Sequence, residues 1–242
     1  MKHFVLRVSY DGTNYYGFQI QEKLPTIQGK IEDVLKDITG ERIRIRYAGR
    51  TDKGVHALWQ IVDFFTQWKK DVNEIIGAMN ALLPRDIRIL NGSEVSGDFH
   101  SRFSAKKREY TYVVFHGSVM LPFFRNYVYP FSFPLDLNVM RESSGFFIGE
   151  HDFSGICDKN DEENFITTVK EIEIFNKGPF FIFRIVANAF LRGMVRYIVQ
   201  ILLDVGRCKL KLEDVEYIIT SKEKWKKVPP CGLYLSRVWY DQ

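Results

Sequence analysis

Cysteine is scarce in this chain of 242 residues: Cys157, Cys208 and Cys231 are odd in number, far apart and lack a Cys-x-x-Cys spacing. A disulfide framework and a thiolate zinc site are thereby excluded, and buried free thiols are the expectation. Histidine is thin as well, and none of the five stands at a metal-ligand spacing from another His or Cys. Metal catalysis therefore has no support, and no cofactor is expected. Long apolar runs are missing too. No stretch approaches the roughly 18 uninterrupted apolar residues of a membrane span, and the start Met1-Lys2-His3-Phe4-Val5 has no apolar signal core. The expectation is a cytoplasmic protein with no membrane partner.

What is present is an ordinary globular composition, 45% hydrophobic and 26% charged, long enough for one large domain or two modest ones, each with a core. Lys and Arg exceed Asp and Glu by 34 to 30, a net charge of +4, which alone is weak evidence for a polyanionic partner. The distribution says more. Arg42, Arg44, Arg46 and Arg50 crowd residues 42–50, Arg102, Lys106, Lys107 and Arg108 crowd 102–108, and Lys222, Lys224, Lys226 and Lys227 crowd 222–227. Three such runs can line one phosphate-binding face, or be three solvated surfaces pointing apart.

Apolar periodicity predicts a strand over 3–10, a helix from Thr26 to Gly40 and a strand over 42–48 whose arginines share one face. A strand over 57–66, a helix over 71–83 ended by Pro84 and a strand over 87–95 follow. The first half thus reads β-α-β-β-α-β. The second predicts strand 108–117, helix 136–148, strands 166–176 and 180–188, helices 189–205 and 212–220, and strand 231–240. One extra helix aside, the order repeats. The expected fold is α+β: two tandem ferredoxin-like halves, 1–104 and 105–242, joined into one mostly antiparallel mixed sheet with a central cleft.

Three segments can carry chemistry. Gly49-Arg50-Thr51-Asp52-Lys53-Gly54-Val55-His56 lies between two predicted strands, and its glycines permit a tight backbone path. Arg50 and Lys53 favour an ionised Asp52, and a carboxylate is a usable nucleophile. The alternative is a hairpin turn in which Thr51 and Asp52 bond their own backbone, the ordinary reading of an Asp in a glycine-flanked loop. Second, the apolar helix predicted over 189–205 carries Arg192 and Arg196 four residues apart. A sequestered guanidinium requires a carboxylate, since leaving it unpaired costs about 3–5 kcal/mol. Asp52 is one candidate partner, and snorkelling to solvent is the alternative. Third, Lys106-Lys107-Arg108 opens a strand bearing Tyr110 and Tyr112 on one face; aromatics beside cations suit an unstacked base. From pattern alone the two tyrosines are indistinguishable.

Together these pieces resemble the TruA-type tRNA pseudouridine synthases. The carriers are Gly49-Arg50-Thr51-Asp52-x-Gly54-Val55-His56-Ala57, Tyr10-Asp11-Gly12-Thr13 with Gly17-Phe18-Gln19, and Phe99-His100-x-Arg102-Phe103-Ser104-Ala105 before Arg108-x-Tyr110-x-Tyr112. Farther on come Gly149-x-His151-Asp152-Phe153, Phe190-Leu191-x-x-Met194-Val195-Arg196 and Pro229-Pro230-x-Gly232-Leu233-Tyr234-Leu235. The resemblance implies a cofactor-free isomerase that flips uridines at positions 38, 39 and 40 of the tRNA anticodon stem-loop into a pocket, working as a homodimer. It implies Asp52 as catalytic nucleophile with Arg196 as its partner, and Tyr110, Arg50 and Leu233 as substrate-binding. Lys53, Lys106, Lys107, Arg108 and Arg192 are the expected RNA-binding cations. Departures from the pattern are Lys53 for a small residue, Phe18 for tryptophan, Ser101 for alanine, and Gly193, placed mid-helix at a cost of about 1 kcal/mol relative to alanine.

Two rivals remain. A non-catalytic protein of tandem RNA-recognition modules would carry an aromatic pair in a Gly-Phe-rich central strand, which is missing. A hydrolase with paired carboxylates needs a second acid, for which Asp63 is nearest in sequence.

Overall fold

The structure, a computed structural model, describes residues 1–158, 164–221, 223 and 225–241. Lys222 and Lys224 of the third basic run fall outside them. The first alternation becomes β1 (Lys2–Tyr10), with Phe4, Leu6, Val8 and Tyr10 all buried on one face. Helix α1 (Ile27–Thr39) is opened by the Thr26 side chain, which accepts from the Gly29 N–H, and closed by Gly40 at φ 73°. Beyond it the predicted strand over 42–48 shrinks to β2 (Arg46–Tyr47). Its alternation still assigns faces, since Ile43 and Ile45 are buried while Arg42 and Arg44 are exposed. The ladder is short because Glu32 Oε1 on α1 takes the Ile45 N–H at 3.1 Å. Next come β3 (His56–Thr66) and α2 (Val72–Leu82), the latter capped by the Asp71 carboxylate on the N–H groups of Asn73 and Glu74. Strand β4 (Ile87–Glu94) follows.

The chain continues through β5 (Ala105–Phe115), β6 (Tyr129–Pro130), α3 (Leu137–Ser144), β7 (Gly149–Asp152), β8 (Ile166–Lys177) and β9 (Phe180–Ala187). Then come α4 (Met194–Gly206), α5 (Asp214–Thr220) and β10 (Leu233–Tyr240). Element order bears out β-α-β-β-α-β twice, with α5 extra and β6 and β7 as short additions. Besides the shortened β2, two helix boundaries move by several residues. The predicted helix over 136–148 gives way to a 3₁₀ turn at Gly145–Phe147, and the one over 189–205 starts only at Met194, because Gly193 has φ 73°.

The protein is α+β and divides into two compact units: Met1–Lys106 with the residues from Tyr234 onward, and Lys107–Leu233. The last strand, expected with residues 105–242, thus groups with the first unit, where Tyr234 and Leu235 pair in parallel with His56 and Ala57 of β3. In that unit β1 lies antiparallel between β4 and β3, β2 pairs with β3, and α2 packs on β4 and α1 on α2. In the second unit β5, β9, β8 and β7 pair antiparallel in that order, β6 runs parallel beside β5, and α3 packs on α4 and β8.

Candidate active site

The segment carrying Asp52 is fixed from both sides. Thr51 is buried; its carbonyl accepts from the Phe18 N–H at 3.1 Å and its hydroxyl lies 2.7 Å from that of Tyr10. Gly17, at φ 93°, makes this approach possible, for a Cβ there would meet the Thr51 carbonyl at 2.6 Å. Gly12 is under a harder constraint, since its Cβ would come within 2.0 Å of the Val55 carbonyl. Downstream the Val55 N–H closes a turn on the Asp52 carbonyl at 3.1 Å, through Gly54 at φ 76°. The buried Gln60 side chain donates to the Gly49 carbonyl at 2.7 Å. His56 Nδ1 is 3.1 Å from both the Gly12 N–H nitrogen and Asp11 Oδ1, and its ring stacks on Tyr234 at 4.9 Å. Thr51 therefore spends its hydroxyl on Tyr10, not on its own backbone as the hairpin-turn alternative supposed. Asp52 is half-buried, while Arg50 and Lys53 are exposed, with Lys53 Nζ 3.9 Å over the Tyr16 ring.

In the second unit Arg196 is the third residue of α4 and half-buried. Its Nε donates to the Val228 carbonyl at 2.7 Å, and the Val228 N–H returns a bond to the Arg196 carbonyl at 3.2 Å. A cation in the first turn faces the positive end of the helix dipole, an unfavourable placement unless an anion joins it. Arg192 does not share a helical face with it, as the sequence suggested: it precedes α4, and its Nε is 3.9 Å from Asp158. Gly193 is likewise not mid-helix. It caps α4 in the left-handed region, and a Cβ there would meet Asp158 Oδ2 at 2.9 Å. Asp158 also holds Lys227 and accepts from the Tyr197 hydroxyl at 3.2 Å; burial first, and then the Asp158 charge, push that hydroxyl's pKa up.

The strand tyrosines separate. Tyr112 is fully buried, and its hydroxyl donates to the Pro229 carbonyl at 2.8 Å; burial raises its pKa. Tyr110 is 7% exposed and meets Phe190 edge-on at 5.1 Å. Arg108 alternates with them on the buried face and donates to the Asn188 carbonyl at 2.7 Å, so it presents no free cationic surface. Lys106 is exposed and paired with Asp241 at 2.8 Å, and Lys107 is half-buried. Leu233 is buried at the start of β10. Arg46 also turns inward. Together with His3 and the Ser101 N–H, it binds Asp63, which has no exposed surface. The acid the hydrolase reading needs is thus committed to holding the fold.

In the linear sequence Tyr10, Gly12, Gly17 and Phe18 stand out only within motifs, and nothing marks Gln60 or Val228. The glycines were the usable signal, because each marks a close backbone approach to the Asp52 loop.

A family model described as tRNA pseudouridine synthase matches residues 7–104 and 146–241, which sets the class. The chain is 41% identical to tRNA pseudouridine synthase A of Caldicellulosiruptor saccharolyticus, over 99% of its own length and all of that protein. It is 37% identical to the enzyme of that name in a Thermoanaerobacter species, over 99% of this chain and all of the other. The counterpart in Halalkalibacterium halodurans is 40% identical over 98% of this chain and 92% of its own. The chain belongs to the tRNA pseudouridine synthase A family and is an isomerase acting on uridines of tRNA. Among solved structures, an archaeal box H/ACA sRNP Nop10-Cbf5 complex aligns over 84% of this chain and 44% of its own, at 14% identity and a TM-score of 0.40.

Proposed function

We propose that Asp52 is the nucleophile of the isomerisation and that Arg196 is the guanidinium that orients it. The observation that carries this reading is the anchoring of the Asp52 loop: Thr51 is locked between Tyr10 and Phe18, and a half-buried carboxylate follows it directly. Such fixation removes the reorganisation a mobile nucleophile would undergo in the transition state. Arg196 sits where a helix dipole disfavours a cation, a placement that a carboxylate partner would make favourable.

The reaction is redox neutral. Asp52 attacks either the ribose anomeric carbon or the uracil ring, and the N-glycosidic bond breaks. The retained base turns, carbon 5 bonds to the sugar, the bond to Asp52 breaks to return the free carboxylate, and the hydrogen of carbon 5 leaves as a proton while the former glycosidic nitrogen gains one. Tyr110, with its edge braced by Phe190, stacks on the uracil and keeps it from diffusing away. Arg50, exposed beside the nucleophile, holds the extruded nucleotide, and Leu233 lines the base pocket. Lys53, Lys107 and Arg192 approach the tRNA phosphates. The substrate site is the anticodon stem-loop at positions 38, 39 and 40, and the enzyme works in the cytoplasm as a homodimer.

Asp52→Ala should keep tRNA affinity within about two-fold, well under one hydrogen bond's worth, while abolishing tritium release from uracil-5-labelled tRNA. Turnover at a substantial fraction of wild type rejects Asp52 as nucleophile.

A further inference from the structure

We propose that Arg7, Trp59, Arg237 and Trp239 form a second docking surface for the sugar-phosphate backbone of tRNA, outside the loop that carries Asp52. The four come from the neighbouring strands β1, β3 and β10 of the first unit. The Arg7 guanidinium carbon lies 3.5 Å from the Trp59 ring centroid, and that of Arg237 lies 5.2 Å from the centroids of both Trp59 and Trp239. Cation and indole therefore alternate across the strands.

Several arginines of the chain are committed to acids. Arg184 is surrounded by Glu109, Glu171 and Glu173, Arg207 is held by Asp204, and Arg46 by Asp63. Among the described residues neither Arg7 nor Arg237 has a carboxylate within ion-pair distance, and Arg7 Nε is buried with no hydrogen-bond partner. A guanidinium held over an indole can still offer its terminal amino groups to a phosphate in bidentate fashion. With one strand between them, β1 and β10 set the two cations about 10 Å apart. Where acids are missing elsewhere, carbonyls serve, as for Arg88 and Arg141; among the described residues Arg7 and Arg237 have neither. Phosphates are the matching partner, and the inference rests on the family's tRNA substrate for their source.

The test is tRNA binding by the Arg7→Gln/Arg237→Gln double variant between 50 and 200 mM salt, beside wild type, with pseudouridine formation by wild type followed in the same preparations. Two lost phosphate contacts should reduce the slope of log K against log salt by about 1.8, so that the wild-type advantage in affinity shrinks about twelve-fold across that range. Should the double variant fail to fold, Arg237→Gln, at an exposed position, should by itself reduce the slope by about 0.9. Wild-type affinity with an unchanged slope overturns the proposal. So does a shift from dimer to monomer in sedimentation with the slope intact, which would assign the surface to a second copy of the chain. Wild type that forms no pseudouridine would instead sink the reading of the Asp52 site, a distinguishable result.

Discussion

Gly193 shows how much one backbone conformation decides. It stands at φ 73° with the Asp158 carboxylate 2.9 Å from where a Cβ would be, and that carboxylate is held on its other side by Lys227 and Tyr197. A Cβ in left-handed backbone costs about 1–2 kcal/mol before any clash is counted. Gly193→Ala should therefore lower stability by at least about 1–2 kcal/mol in denaturant unfolding. A glycine inside a helix would behave the other way, gaining about 1 kcal/mol on substitution, so a gain would show that α4 begins earlier than Met194. The sequence could not disclose this, because Phe190 and Leu191 continue the apolar period of α4 up to the break. What forces the break is Asp158, whose N–H bonds the Arg192 carbonyl at 2.8 Å from far back in the chain.

Between elements the governing feature is the set of bonds on Asp63. The acid belongs to β3, Arg46 to β2 and His3 to β1, while the Ser101 N–H reaches it at 2.8 Å and the Phe99 carbonyl takes Arg46 from the segment after β4. Burial alone would raise the Asp63 carboxyl, but the hydrogen bonds from Arg46, Ser101 and His3 outweigh it and leave its pKa below the ordinary value. A folded pKa below the unfolded one, about 3.9, means a contribution to stability that is complete above that value. It is lost as pH falls through it toward the folded pKa. Asp63→Asn should cost about 3–5 kcal/mol at neutral pH by leaving Arg46 without its anion. The variant should also lose less stability than wild type on acidification from about pH 5 to pH 3, as read by urea unfolding at each pH. Parallel acid limbs would show that the titrating group lies elsewhere. Local pattern told which faces of residues 42–48 were buried, yet not that the strand would hold only two residues. That outcome turned on the reach of Glu32, which periodicity does not encode.

Over the whole molecule, element order was legible in nearly every segment, because α+β layers need alternating and helical periods that a single chain displays openly. The Asp52 loop was legible for a different reason: Gly12 and Gly17 leave no room for a Cβ against its carbonyls, and Gly54 within it stands at φ 76°. The sign and spacing of the cations were equally plain, but their direction was not, and direction decides what a basic run does. Residues 42–50 lose Arg46 to Asp63, and Lys106 leans on Asp241.

Arg108 is the sharpest case of a cation that the linear sequence offers to RNA and the fold withholds. It sits in register with Ala187 on the buried face of β5 and spends a donor on the Asn188 carbonyl at the end of β9. Arg108→Met keeps the length of the side chain but removes the charge and its bond to the Asn188 carbonyl, at a cost of about 0.5–1.5 kcal/mol. The expected result is a lower melting temperature with an unaltered salt slope for tRNA binding, the opposite of the outcome for Arg7 and Arg237. A slope reduced by about 1 would mean that Arg108 meets a phosphate after all. In that event the run from Lys106 to Arg108 would act as a unit on the RNA, and the buried Arg108 would have to become accessible on binding.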